Sequence, residues 1–105
     1  MSILIIDKIR LHDPLHEADF LRWVTEVDYA SCPDLPSVQR FEVVRAAPGA
    51  GFDFFEIIHV ESMDAFERDM QSPVFAALVA RFTQMASVVE SFHGAAVPPG
   101  FVRHA

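Results

Sequence analysis

The chain has 105 residues, of which 51% are apolar and ten are phenylalanine, so it has ample apolar surface for a core and is not intrinsically disordered. One core commonly occupies about 100–150 residues, and we therefore expect a single domain over residues 1–105 with a C-terminal tail over 97–105. Fifteen acidic against eight basic residues give a formal charge of −7, which argues against nucleic acid and membrane surfaces as partners, because both are anionic.

The cysteine content and the first residues bear on the location of the protein. Cys32 is the one cysteine, which excludes an internal disulfide and a multi-cysteine zinc site. The apolar run of residues 3–6 is interrupted by Asp7 and Lys8, so it is too short for a signal-peptide core or a bilayer span. We expect a cytoplasmic protein.

The first third of the chain predicts a strand and then an amphipathic helix. Residues 3–11, ILIIDKIRL, are rich in β-branched side chains and favour a strand. Asp13 is the expected helix N-cap and Pro14 the first helical residue. From Leu15 to about Ala30 the apolar residues recur at spacings of three and four, as in Phe20, Trp23, Val24 and Val27.

The remaining elements follow in a regular order. Residues 38–45 and 52–61 are predicted strands, and the Pro/Gly-rich segment 46–51 joins them as a hairpin. A second helical region begins after Ser62 and restarts at Ser72-Pro73. Residues 88–95 are short and apolar and predict a fourth strand.

This order of elements, βαββαβ, predicts an α+β fold of the ferredoxin-like type. In that fold the sheet is antiparallel and four-stranded, with strand order 4-1-3-2, and the helices cover one face. The predicted strands are apolar on both faces, so the face without helices needs a partner. We expect a homodimer in which two sheets pack together into a shared barrel, a dimeric α/β barrel.

The predicted topology gathers polar residues at one end of the domain. His59 and His93 come late in the strands that flank the first strand, while Asp28 and Tyr29 end the first helix and Arg40 begins the second strand. Polar groups that converge on an apolar cavity are typical of a small-molecule site. Trp23 and Tyr29 would add a flat wall for an aromatic or heteroaromatic ligand.

Asp28 is unusual because it falls within the apolar arc of the helix. One interpretation is structural, with Asp28 in a frayed last turn or paired with Arg40. The other makes Asp28 a general base, or the residue that orients a histidine. Glu56 shares a strand face with Phe54, and we expect it to form an ion pair with Arg40 or Arg45.

The histidines can move protons near neutral pH, or serve only as packing residues. Strands on either side of a central strand hold side chains roughly 9–10 Å apart, which is too wide for His59 and His93 to bind one metal ion. The sequence has no Gly-rich phosphate loop, GxSxG, HExxH or CxxC motif. These patterns favour proton-transfer chemistry without a cofactor or metal.

Four segments carry a resemblance to a known family: SILIIDKIRL, FLRWVTEVDYASCPDLPSV, FFEIIHVESMDAFERDM and SVVESFHGAAV. Together they resemble the RedY-like (HapK) family of the dimeric α/β-barrel superfamily. The resemblance implies a bacterial cytoplasmic dimer that acts on a pyrrole- or indole-derived intermediate, in pathways for prodigiosin-type pigments and related products. It leaves open whether the protein catalyses a step or assists another biosynthetic enzyme.

Three functional hypotheses remain at this point. The first is a cofactor-independent enzyme for cyclisation, condensation or a related acid–base step. In it His59 and His93 move protons, Asp28 orients or deprotonates, Arg40 holds a carboxylate or carbonyl, and Tyr29 and Trp23 stack on the ring. The second is a non-catalytic accessory or chaperone-like binding protein of the same pathway, whose polar residues pair internally and leave no cavity. The third is a monooxygenase without metal or flavin that acts on an aromatic substrate.

Overall fold

A four-stranded antiparallel sheet carries the rest of the structure, a computed structural model that describes residues 3–104. The strand order is β2-β3-β1-β4, which is the predicted order 4-1-3-2 read from the other edge. The predicted α+β, ferredoxin-like fold is therefore confirmed. The strands are β1 (Ile3–Leu11), β2 (Val38–Arg45), β3 (Phe54–Val60) and β4 (Ala86–Ala95).

The helical segment after β1 begins as the sequence predicts. Asp13 accepts a hydrogen bond from the Leu15 amide at 2.9 Å, and Pro14 opens a short 3-10 turn before α1 (Glu17–Trp23). The segment then widens into a π turn over Val24–Asp28, and it closes with an α-helical turn at Tyr29–Ser31. The helix is thus irregular where the hydrophobic pattern predicts continuous α-helix.

Two helices follow β3, and serine side chains cap both. The Ser62 hydroxyl accepts from the Ala65 amide at 3.1 Å at the start of α2 (Met63–Met70). Ser72 likewise accepts from the Phe75 amide at 3.2 Å at the start of α3 (Pro73–Met85). The break and restart predicted at Ser72-Pro73 are confirmed.

The ends of two strands differ from the prediction. β3 begins at Phe54 rather than Phe52, because the loop before it uses positive φ angles at Gly49 and Gly51, 84° and 88°, to turn the chain. β4 begins at Ala86 rather than Val88, directly after α3 ends. The longer β4 pairs along β1 from Leu11 to Ile3.

The helices pack on one face of the sheet, which we call the inner face. Phe20 and Met85 from the helices and Ile9 and Phe54 from the strands form the centre of this core, each at most 1% exposed. In β1 the inner-face positions are Ile3, Ile5, Asp7, Ile9 and Leu11, because side chains alternate along a strand.

The opposite face of the sheet, the outer face, has no helix on it among residues 3–104. It carries Leu4 and Ile6 of β1 opposite His59 and Ile57 of β3. On the other side of β1, Ile6 lies opposite Phe92, which is 47% exposed. Within the described residues, the helices are too short or too polar to cross a bilayer.

Candidate functional site

A cavity of about 330 Å³ lies between the inner face of the sheet and the helices. This volume is at the lower end of the range of small-molecule pockets, about 300–1,000 Å³. Most of the lining is apolar and aromatic, and the aromatic members are Trp23, Phe41, Phe66, Phe75 and Phe82. The polar side chains of the lining are few, as in ligand sites: Asp7, Asp28, Cys32, Glu56, Ser91 and His93.

Asp28 is the last residue of the π turn and lines the cavity, where its place on the apolar arc predicts it. The widened turn is stabilised by side-chain hydroxyls: Thr25 donates to the Leu21 carbonyl at 3.2 Å and Ser31 to the Val27 carbonyl at 2.7 Å. Burial among apolar groups raises the pKa of Asp28 from 3.8 to about 6. π turns are frequent at functional sites.

A second group of polar side chains comes from three neighbouring strands. Asp7 of β1 lies opposite both Glu56 of β3 and Ser91 of β4. The Ser91 hydroxyl donates to Asp7. Burial raises the pKa of Glu56 well above its usual value, and a hydrogen bond with Asp7 and the charges of Asp7 and Asp28 raise it further.

His93 and Trp23 complete the part of the site that the sequence predicts. His93 lies opposite Ile5 on the inner face and lines the cavity, and Trp23 lines it from the end of α1. Tyr29 does not line the cavity. Its hydroxyl accepts from the Val43 amide at 3.0 Å, and its ring meets that of Phe41 edge to face at 5.6 Å. Tyr29 therefore supports the cavity wall through Phe41.

His59 and Arg40 lie on the outer face, so the prediction that five polar side chains converge on one cavity is wrong. His59 pairs with Leu4 and with Arg40, whereas Ile58, the neighbouring residue, faces the cavity. Arg40 is exposed and contacts Glu42 at 3.8 Å. The prediction considered only the end of the strand at which each of these residues lies, and not the face of the sheet to which its side chain points. The period-two alternation of a strand decides the face independently of the end.

The expected ion pair of Glu56 with Arg40 or Arg45 is also wrong. Arg45 binds Glu17 at 2.6 Å, and Arg40 is on the other face. Glu56 instead lies opposite Asp7 of β1, and this neighbour contributes to its raised pKa.

Sequence reasoning missed Asp7 and Ser91, although a signal for Asp7 was present. Asp7 has the same parity in β1 as the core residues Ile5 and Ile9, so an inward position follows from the alternation. Ser91 could be found only from the pairing register of β4. Burial, followed by the charge of Asp28, raises the pKa of the Cys32 thiol, which disfavours the nucleophilic thiolate. Within residues 3–104, no three or more His, Cys, Asp or Glu side chains are arranged to hold a metal ion.

Comparison with known proteins shows a relationship that spans nearly the whole chain. A family model described as REDY-like protein HapK matches residues 3–97. The crystal structure of HapK from Hahella chejuensis is 43% identical in sequence and covers 99% of this chain and 100% of its own, with a TM-score of 0.91. No curated protein matches the chain significantly.

More distant structures share the fold. SnoaB from Streptomyces nogalater, described as a cofactor-independent oxygenase, is 16% identical and has a TM-score of 0.75, over 93% of this chain and 95% of that one. A dimeric ferredoxin-like protein of unknown function from Thermobifida fusca is also 16% identical, with a TM-score of 0.64, over 90% of this chain and 88% of that one.

Proposed function

The chain belongs to the REDY-like HapK family, and we propose that it is a cytoplasmic, cofactor-independent acid–base enzyme. Its substrate is a pyrrole- or indole-derived intermediate in prodigiosin-type pigment or related biosynthesis, and its reaction is a cyclisation, a condensation or a related step. The observation that carries this proposal is the Asp28 carboxyl in an aromatic-lined cavity, with its pKa raised to about 6.

The geometry supports a division of roles among the cavity residues. A general base is most effective when its pKa approaches the working pH, so Asp28 is a better base than an exposed aspartate. Glu56 keeps its proton to higher pH than an ordinary glutamate and is suited to donate it. His93 is a second proton carrier in the wall, and Trp23 provides a ring for stacking.

A condensation at this site would need no net change in the protonation of the protein. Asp28 takes the proton from the attacking carbon or nitrogen as the new bond to a carbonyl carbon forms. Glu56 or His93 gives a proton to the carbonyl oxygen. The protonated Asp28 then gives its proton to the resulting hydroxyl, which leaves as water, and the group that protonated the oxygen takes a second proton from the attacking molecule. The cavity would also hold the two reacting groups next to each other in a fixed orientation, which they do not have when they are free in water.

A bicyclic probe tests this acid–base assignment without knowledge of the natural substrate. 5-Nitrobenzisoxazole opens when a base removes its ring proton, so it reports a positioned base in an apolar cavity. We expect Asp28→Asn to reduce the rate about 100-fold or more, because a general base contributes about 10²–10⁴. The rate is measured from the coloured phenolate product.

Glu26→Gln is the matched control, because Glu26 is an exposed acid in the same π turn. We expect this variant to retain the wild-type rate. His59→Ala should also retain it, because His59 is on the outer face. Equal rates for wild type and Asp28→Asn would contradict the assignment of Asp28 as the base.

A cofactor-free monooxygenase is the second candidate, and the shared fold with a cofactor-independent oxygenase favours it. Both candidates use a base in an apolar cavity. Deprotonation makes an aromatic substrate electron-rich, and the substrate can then attack a carbonyl carbon or react with O₂. Oxygen uptake separates them: a condensation consumes none, whereas a monooxygenase consumes one O₂ per turnover. The accessory hypothesis predicts a filled interior, and the cavity of about 330 Å³ supports the catalytic candidates instead.

We propose, as part of this function, that two copies pair through their outer faces. The outer face is apolar at Leu4, Ile6, Ile57 and Phe92, and no helix covers it within residues 3–104. Exposed apolar faces of this kind mark interaction sites. The distant structure from Thermobifida fusca is described as dimeric, which supports a homodimer here but does not bear on the face through which it forms.

A further inference from the structure

The charged groups in the cavity wall indicate which class of ligand the cavity can bind. We propose that the cavity takes an aromatic ligand with a protonated nitrogen or several N–H donors, and that it rejects aromatic carboxylates. This inference rests on the proposed function in one respect only, that the cavity is the substrate site.

The first observation is the position of the cationic side chains. The sequence has eight Lys and Arg residues, and each lies within residues 3–104 and outside the cavity lining. Several are already engaged elsewhere: Lys8 with Glu90 at 2.7 Å, Arg45 with Glu17 at 2.6 Å and Arg22 with Asp19 at 3.3 Å. A carboxylate in the cavity therefore finds no guanidinium or ammonium partner in its wall.

The second observation is the excess of acceptors in the same wall. Asp7, Asp28 and Glu56 bring three carboxyl groups, and His93 is the one basic side chain among the lining residues. The Ser91 hydroxyl already donates to Asp7. A ligand that donates protons or carries positive charge satisfies these oxygens, whereas an anionic ligand adds a further negative charge beside them.

The third observation is the aromatic lining. Trp23, Phe41, Phe66, Phe75 and Phe82 present rings to the cavity, and the face of a ring attracts a cation. Flat rings also suit a flat ligand. Rings and carboxyl groups therefore favour the same ligand, a heteroaromatic cation or a ligand rich in N–H groups.

Three indoles of similar size test the proposal: 3-(aminomethyl)indole, 3-methylindole and indole-3-carboxylate. The chain has one tryptophan, Trp23, so the ¹⁵N-labelled protein gives one indole N–H signal, and this signal lies in the cavity wall. Titration of each unlabelled indole at about neutral pH gives its Kd from the movement of that signal. We expect the ammonium compound to bind at least about tenfold more tightly than the methyl compound, and the carboxylate most weakly.

Two variants assign the preference to the carboxyl groups. Asp28→Asn and Glu56→Gln keep the shape of the side chains and replace a carboxyl group by an amide. We expect each to reduce the ratio of ammonium to methyl affinity, Asp28→Asn towards one and Glu56→Gln less strongly, because Glu56 keeps its proton to higher pH. Glu26→Gln, the exposed control, should leave the ratio unchanged. Each variant is first checked for the wild-type amide spectrum, and Asp28→Asn alone suffices if Glu56→Gln does not fold.

Indole-3-carboxylate binding as tightly as the ammonium compound would overturn the inference. A preference for the ammonium compound that survives in folded Asp28→Asn would overturn it as well. The measurement requires no turnover, so it separates two failures. If the protein prefers the ammonium compound but does not open the benzisoxazole probe, the proposed acid–base activity is rejected and the proposed ligand class is kept. If it opens the probe but shows no preference for the ammonium compound, the activity is kept and the ligand class is rejected.

Discussion

Asp28 has a higher pKa than an aspartate side chain has in water. A carboxylate in water has a pKa near 4 because water stabilises the charge. Apolar neighbours around Asp28 replace much of that water, and the pKa rises to about 6. The same burial that would make Asp28 a useful base makes its charged form unfavourable in the folded state.

This conflict predicts a pH-dependent effect of Asp28→Asn on stability. The folded-state pKa is raised above 3.8, so the folded protein binds more protons than the unfolded chain between about pH 4 and 6. The stability that Asp28 contributes is complete below the unfolded pKa and is lost as pH rises through about 6. The shift from 3.8 to about 6 corresponds to at most about 3 kcal/mol, less any remaining solvation.

We therefore expect Asp28→Asn to be more stable than wild type at about pH 8, with a difference that shrinks as pH falls towards 4. Urea unfolding at several pH values gives the free energy of unfolding of each protein. Glu26→Gln, with an exposed carboxyl, should show no such trend. A difference between wild type and Asp28→Asn that does not change with pH would refute the buried-charge explanation.

A contact between α2 and the start of β2 fixes one side of the cavity. Asp69 in the last turn of α2 is buried and accepts from the Ser37 amide at 2.8 Å and from the Ser37 hydroxyl. Ser37 is 1% exposed and directly precedes β2, the strand that carries Phe41. The Asp69 side chain thus connects α2, which follows β3, to the beginning of β2.

We expect Asp69→Ala to lower the free energy of unfolding by about 2–3 kcal/mol, because it leaves the buried Ser37 donors without an acceptor. Glu67→Ala removes an exposed acid from the same helix and should change the stability by about 0.5 kcal/mol or less. Denaturant unfolding of both variants measures the difference. Equal stability of the two variants would show that water replaces the Asp69 contact.

The two faces of the sheet differ in what they carry. The inner face holds the core and the cavity, and the outer face carries apolar side chains together with His59 and Arg40. In the proposed homodimer both of these polar residues would lie near the partner copy. They would serve assembly there, while the proposed reaction would take place on the inner face.

The proposed dimer predicts that a charge on the outer face separates the copies. Phe92→Asp places a carboxylate at an apolar position that is 47% exposed, and we expect the particle mass measured by light scattering to halve. Leu15→Asp is the control, because Leu15 is 88% exposed and lies outside the sheet, in the turn before α1. A wild-type protein that is already monomeric at micromolar concentration would reject the dimer.

The amino-acid sequence is enough to predict the order of the elements and the fold class, and to show that Asp28 lies on the apolar arc of its helix. Local signals are sufficient for these: β-branched runs predict strands, Asp13, Ser62 and Ser72 mark helix starts, and the helical spacing places Asp28 among apolar residues. The order of elements then leaves few topologies, and the ferredoxin-like sheet is the natural one.

Which polar groups meet depends on how the chain folds. His59 and His93 come equally late in their strands, yet they lie on opposite faces, because strand register and alternation depend on pairing between distant segments. The same pairing places Asp7 between Glu56 and Ser91, three residues far apart in the chain. A pKa depends on the solvent and charges that surround a group, and these are set by packing rather than by residue type.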